Sequence, residues 1–195
     1  SVTRGLIHAP LVDTGQGGAR CGRPRCRPMN TAAHDTDVLI VGAGPAGLAL
    51  GCALADGGLR CTLIEGQSAE ALAEPPPDGR DIALTHRAQA ILQDLGLWQR
   101  LPADEIAPLR EAAVYNGRNL RPLRLDAGPS GPDRLGHLVP NHVIRRASWQ
   151  AALERPDVRL LTDTRVVAMT LGPTQVSVTC RSADGREHSL AAPLL

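Results

Sequence analysis

The residues whose types and spacing suit chemistry are few: glycines at 42, 44 and 47 in the run Gly42-Ala43-Gly44-Pro45-Ala46-Gly47, and an acid at Glu65, 18 positions past Gly47. A G-x-G-x-x-G run alone is weak. With 20 glycines in 195 residues, chance supplies it about 0.2 times. Its surroundings make it informative. Val38-Leu39-Ile40-Val41 is a continuous apolar run before it, and Ala46 to Asp56 is rich in Ala and Leu after it. In a strand–turn–helix unit, Gly42 makes the tight turn, and Gly44 has no side chain to block a pyrophosphate. Gly47 lets the helix lie close on the strand. Pro45 stands where a helix tolerates proline, and the free N–H groups from Ala46 onward present partial positive charge to a diphosphate. Glu65 would accept hydrogen bonds from an adenosine ribose. A 2′-phosphate about 4 Å from that carboxylate would cost on the order of 4 kcal/mol at an effective dielectric near 20. NADP is therefore disfavoured as the bound nucleotide, and FAD or NAD remains.

The elements that must position these residues follow a βαβ order. Val38–Val41 reads as a strand buried on both faces of a parallel sheet. The helix from Ala46 to Asp56 is stopped by Gly57-Gly58, and Cys61 to Ile64 is a second strand that ends at Glu65. A Pro75-Pro76-Pro77-Asp78-Gly79 loop follows, then Arg80 and a short Ile82-Ala83-Leu84 segment. Thr85 caps a helix whose Ala88, Ile91, Leu92 and Leu95 share one face, with Gly96 at its end. Asn116-Gly117 is a hairpin signal, and Gly128 to Gly136 is read as a Gly/Pro loop. His142 to Glu154 is a helix halted by Pro156. The strands Arg165–Leu171 and Gln175–Arg181 precede a turn at Asp184-Gly185. The expected fold class is α/β: a Rossmann-like βαβ dinucleotide-binding domain with an additional β-rich segment.

Composition excludes several classes. The 195 residues suffice for one domain with a sizeable core. A net charge of +1 gives no field for nucleic acid or an anionic membrane, and no stretch approaches the roughly 18 apolar residues of a membrane-spanning helix. A soluble cytoplasmic domain is expected. All 21 basic residues are Arg and Phe is absent, which reflects GC-rich codons and not function. Cys21, Cys26, Cys52, Cys61 and Cys180 lack zinc spacing, and Cys52 and Cys61 read as small core residues. His86, His137 and His142 also lack metal spacing, so no metal is expected. No Ser–His–Asp or paired-carboxylate constellation occurs, and no catalytic side chain is assigned. Residues 1–34, with the run Cys21-Gly-Arg-Pro-Arg-Cys-Arg-Pro28, are read as a disordered extension; its Gly and Pro content argues against the amphipathic helix of a transit peptide. The working domain is placed at residues 35–195.

The segment DVLIVGAGPAGLAL, from Asp37 to Leu50, resembles the start of the para-hydroxybenzoate hydroxylase-type flavoproteins. Asp78-Gly-Arg-Asp-Ile-Ala-Leu, the following helix to Leu95-Gly-Leu-Trp98, and Leu135-Gly-His-Leu-Val-Pro-Asn141 resemble the narrower branch of ubiquinone-biosynthesis hydroxylases. The resemblance spans about Asp35 to Leu195. It implies FAD as the resident nucleotide. It also implies Arg80 near the flavin phosphate and ribityl region, Asn141 near the flavin, and Val166 in a strand whose backbone touches the adenine. Arg145 is either a cofactor neighbour or an exposed helix residue. The implied reaction is carried by the cofactor: NAD(P)H as transient reductant, O2 as co-substrate, and a hydroxyl group added to the ring of a polyprenylated phenol. Contact with the inner membrane surface or a ubiquinone-synthesis complex would suit such a substrate. Members run roughly twice this length, and the later Gly-Asp-Ala motif is missing, as are most substrate-pocket residues. These residues are therefore expected to form an incomplete, N-terminal fragment, inactive alone, with weak or absent FAD binding. The alternatives are another FAD-dependent oxidoreductase of the superfamily and a catalytically silent dinucleotide-binding module.

Overall fold

Val38–Val41 (β1) and Cys61–Ile64 (β2) pair in parallel, Val38 opposite Cys61 through Val41 opposite Ile64, because Pro45–Asp56 (α1) carries the chain back across one face. This is a computed structural model, and it describes residues 36–115, 117, 121–126 and 133–195. The expected extension at 1–34, with Cys21 and Cys26, lies outside the described residues, as do Asn116 and residues 128–132.

Chain order continues with Ala69–Ala73 (α2), Asp81–Thr85 (β3), His86–Asp94 (α3), two short 3-10 turns at Trp98–Arg100 and Ala103–Glu105, Ala107–Leu109 (β4), Glu111–Val114 (β5) and Leu123–Asp126 (β6). Then come Gly136–Pro140 (β7), Asn141–Leu153 (α4), Val158–Leu161 (β8), Thr164–Leu171 (β9), Val176–Ser182 (β10) and Glu187–Ala192 (β11). The parallel sheet has the order β1-β2-β8, and Leu194 bridges Val38 in parallel on the other side of β1. A second, antiparallel sheet is β3-β7-β4, β5 and β6 form a hairpin, and β9, β10 and β11 form a meander.

Both faces of the parallel sheet are covered, as its unbroken apolar strands require. On one face Val38, Ile40, Cys61 and Leu63 pack against Leu48 and Cys52 of α1 and Trp149, Ala151 and Ala152 of α4. On the other, Leu39 and Ile64 meet Val178, Cys180 and Ala192 of the meander. Each fully buried aliphatic side chain contributes about 1.5–3 kcal/mol. α4 serves a second core as well. Its Val143, Ile144 and Ala147 pack with Leu101 and Val139 beneath the antiparallel sheet. One helix thus ties the parallel sheet to the sheet that carries β3 and β7.

Several sequence expectations shift. α3 is capped by Thr85, whose Oγ1 accepts the Ala88 N–H, but Ile91 is exposed while Leu95 is buried. Neighbouring helix positions differ by about 100°, so a narrow seam holds Leu92 and Leu95 and leaves Ile91 outside. Gly136, expected in a loop, opens β7, where the carbonyl of Leu84 leaves no room for a side chain. β5 and β6 form a hairpin, with Val114 paired to Leu123. Cys52, Cys61 and Cys180 are buried free thiols, and burial pushes the Cys61 thiol up to about 11.

Arg155 closes the helical side. Its Nε and Nη2 donate to both carboxylate oxygens of Asp56 at 2.9 and 2.7 Å, and it also donates to the carbonyls of Ala151 and Leu95 at 2.8 and 3.0 Å. Its side chain is 17% exposed. Arg155→Ala is expected to lower stability by about 2 kcal/mol, less than a fully buried pair because Asp56 is half exposed. The melting temperature should fall by roughly 4–8 °C. The hydrogen bond from Arg155 holds the Asp56 carboxyl below its ordinary value. A depressed carboxylate stabilises above its unfolded pKa of about 3.9 and loses that contribution as pH falls through the folded value. The gap between parent and variant should therefore be full at pH 7 and narrow progressively below about pH 4, which thermal melts across pH would show.

Candidate nucleotide site

β1 ends at Val41, and Gly42 turns the chain at φ +103° while its N–H donates to Ile64 O at 2.8 Å. Gly44 is the N-cap of α1 and offers no capping side chain. Pro45 takes the first helical position, and no acidic residue stands in the first turn. The amide-lined helix start is thus uncompensated by its own segment. The glycines divide in their reasons. A Cβ on Gly47 would lie 2.1 Å from Gly42 O and 3.5 Å from Ile40 Cγ2, so that glycine is required by helix-on-strand packing. A Cβ on Gly44 would meet nothing within 4 Å. What Gly44 keeps clear is space outside the protein, which fits a ligand and not a packing need.

Glu65 stands at the rim of that space. Its backbone is fixed by Glu65 N donating to Leu161 O at 2.8 Å and by Thr164 N donating to Glu65 O at 2.9 Å. Its Oε2 accepts the Ala43 N–H at 2.8 Å, and its Oε1 accepts the Gln67 N–H at 2.9 Å. The carboxylate therefore touches the glycine turn directly. Two of its roughly four lone-pair sites remain for ribose hydroxyls. The residues present fit a dinucleotide whose diphosphate lies at the helix start.

The other residues singled out in the sequence lie apart from the glycine turn: Arg145 reaches the loop beyond Glu65, and Arg80 and Asn141 meet at Asp78. Arg145 Nη2 donates to Gln67 Oε1 at 2.9 Å, so α4 is linked to the loop beyond Glu65. Asn141, one helical turn earlier and 7% exposed, donates from Nδ2 to Asp78 Oδ2 at 2.7 Å. It does not cap the helix; Pro140 occupies the N-cap. Arg80 donates to the same Asp78 from Nε and Nη2, at 3.0 and 2.6 Å, with a side chain 68% exposed. Hydrogen bonds from Arg80 and then Asn141 hold the Asp78 carboxyl far below the usual carboxylate range. Val166 lies on β9 opposite Cys180, with its side chain against the cluster of Leu39, Ile64 and Val178. The start of β9 is tied to Glu65 through Thr164.

Two features had escaped sequence reasoning. Asp78 is one, although an Asp two positions before Arg80, with Gly79 between, is an Asx-turn signal. The other is an open cavity of about 310 Å³ beyond Glu65, lined by Gly66, Asp163, Arg165, Val167, Arg181, Ser182 and Ala183. Among the described residues no group of His, Cys, Asp or Glu is placed to hold a metal ion. His137 is buried edge-on to Trp98 at 5.2 Å with its Nδ1 unpartnered, and burial lowers its pKa.

This turn, helix and carboxylate define a dinucleotide-binding fold. A family model described as FAD binding domain matches residues 35–195, and the chain belongs to that family. It is similar to ubiquinone hydroxylase UbiM of Neisseria meningitidis, 44% identical over 157 residues that make up 78% of this chain and 34% of the relative. It is also similar to ubiquinone hydroxylase UbiL of Rhodospirillum rubrum, 36% identical over 146 residues, 73% of this chain and 33% of the relative. The chain thus spans about a third of the length of these curated relatives. A crystal structure of the flavin-dependent monooxygenase PieE with FAD and substrate shares the fold, with TM-score 0.61 and 24% identity over 83% of this chain and 30% of that one.

Proposed function

We propose that this chain supplies the FAD-binding part of a flavin-dependent monooxygenase that hydroxylates the ring of a polyprenylated phenol in ubiquinone biosynthesis. The observation that carries the cofactor assignment is the 2.8 Å contact between Glu65 Oε2 and the Ala43 N–H, which sets a sugar-binding carboxylate against a phosphate-binding turn. The names of the similar hydroxylases support the reaction.

In this reading Gly42, Gly44, Ala46 and Gly47 cradle the diphosphate, with Pro45 fixing the helix start, and Glu65 holds the adenosine ribose. Val166 contributes backbone at the adenine, and Arg80 and Asn141 contact the flavin half. Bound FAD supplies the redox chemistry, with NAD(P)H as reductant and O2 as co-substrate. The protein residues bind and orient, and none is assigned as acid or base. A prenylated substrate partitions into lipid, so the working protein is placed in the bacterial cytoplasm against the inner membrane surface. Among the described residues no helix is long and apolar enough to cross a membrane.

The test introduces the complete gene that carries this coding sequence into a bacterial strain blocked at a ring-hydroxylation step of ubiquinone synthesis. Restored quinone is the expected result. Absence of rescue, with the protein expressed, would assign the chain to a different FAD-dependent oxidation.

A further inference from the structure

Four donors converge on the Asp78 carboxylate. Oδ1 accepts the backbone N–H of Arg80 at 3.1 Å, and Oδ2 accepts Arg80 Nε, Arg80 Nη2 and Asn141 Nδ2. The backbone closes the same ring, because Asn141 N donates to Arg80 O at 2.8 Å. A carboxylate offers about four lone-pair sites; Oδ2 is fully engaged and Oδ1 keeps one, so most of the accepting capacity of Asp78 is spent within the protein. Its effect falls on its two partners. With Nδ2 engaged, Asn141 is held by its donor end, and its Oδ1 makes no hydrogen bond among the described residues. With Nε and Nη2 engaged, Arg80 keeps its Nη1 donors free and its guanidinium in one orientation.

We propose that Asp78 is a positioning residue that fixes Arg80 and Asn141 as one unit, presenting a guanidinium Nη1 edge and an amide carbonyl side by side to the flavin half of the cofactor. The pair so formed is one donor and one acceptor, which suits a group that carries both functions, such as the hydroxyls of a ribityl chain. The proposal rests on the FAD reading given above. It adds that Arg80 and Asn141, far apart in sequence, act together through the Asp78 carboxylate.

The test titrates the flavin-stripped product of the complete gene that carries this coding sequence with FAD, following flavin fluorescence and checking by equilibrium dialysis. Asp78→Asn keeps the shape of the side chain and removes its charge and two acceptor sites. It should raise the FAD Kd about tenfold, the size expected for disordering two charge-assisted contacts. In an Arg80→Ala/Asn141→Ala background the same change should leave Kd unaltered, because the groups it positions are gone. A purely structural role would instead lower the melting temperature and weaken FAD equally in both backgrounds, which overturns the proposal. Side-chain amide NMR gives a second measurement: the Asn141 Nδ2 protons should shift in Asp78→Asn and not in Glu65→Gln. An unmoved Asn141 resonance also overturns it. Parent binding that Asp78→Asn leaves unchanged sinks the proposal alone, whereas no saturable binding by the parent chain sinks the cofactor reading and the proposal with it.

Discussion

Replacing Gly47 with alanine is expected to destabilise the protein and remove its nucleotide affinity together. The added methyl group would stand 2.1 Å from Gly42 O, a backbone atom that cannot rotate away, so α1 must lift from β1. Overpacking of that kind costs about 3 kcal/mol, and the better helix propensity of alanine returns about 1 kcal/mol, leaving roughly 2 kcal/mol net. A thermal melt should drop by roughly 4–8 °C. Lifting the helix also moves the amide donors off the diphosphate, so FAD affinity should fall by on the order of a hundredfold. Gly44→Ala separates the two effects. Gly44 has φ −71°, and a Cβ there touches nothing, so stability should change by less than about 1 kcal/mol while affinity still falls. If Gly44→Ala binds FAD as the parent does, the space over the turn is not the phosphate site.

The second large effect concerns Glu65. Glu65→Ala deletes the acceptor for the Ala43 and Gln67 N–H groups and the acceptor proposed for the ribose. A hydrogen bond to a charged group is worth about 1.5–3 kcal/mol, so the Kd for FAD should rise by roughly tenfold to a hundredfold. Discrimination at the 2′ position should change as well. A 2′-phosphate beside the parent carboxylate is opposed by on the order of 4 kcal/mol, and neutralising residue 65 removes that opposition. Competition with 5′-ADP and 2′,5′-ADP reads this out. The parent should reject the second, and the variant should accept both within a few-fold. Equal rejection by Glu65→Ala would show that this carboxylate does not face the sugar.

Much of this site is legible in the sequence because its parts lie close together along the chain. A buried strand, a glycine turn, a helix and a second strand span Val38 to Glu65, and each step is governed by local rules: apolar runs, proline at a helix start, glycine where a Cβ is excluded. Helix α4 shows where those rules stop. Its boundaries were readable from periodicity, but not that Trp149 and Ala151 would enter one core while Val143 and Ala147 entered another. Both sets are simply apolar in sequence. Likewise Asn141 could be taken for a cap because a polar residue at a helix start usually is one. A carboxylate 63 positions away claims its amide instead.

The sequence by itself determined the βαβ unit, the glycine turn and the acid at the end of the second strand, because short-range sterics and strand burial leave few other conformations for those residues. Only the tertiary structure decided that Glu65 would grip the turn, and that Asp78 would gather Arg80 and Asn141. It also placed Arg145 on Gln67, 78 residues earlier in the chain. Such contacts join polar side chains in loops and helix starts. They carry no periodic signal, and their partners are selected by how the two sheets pack around α4.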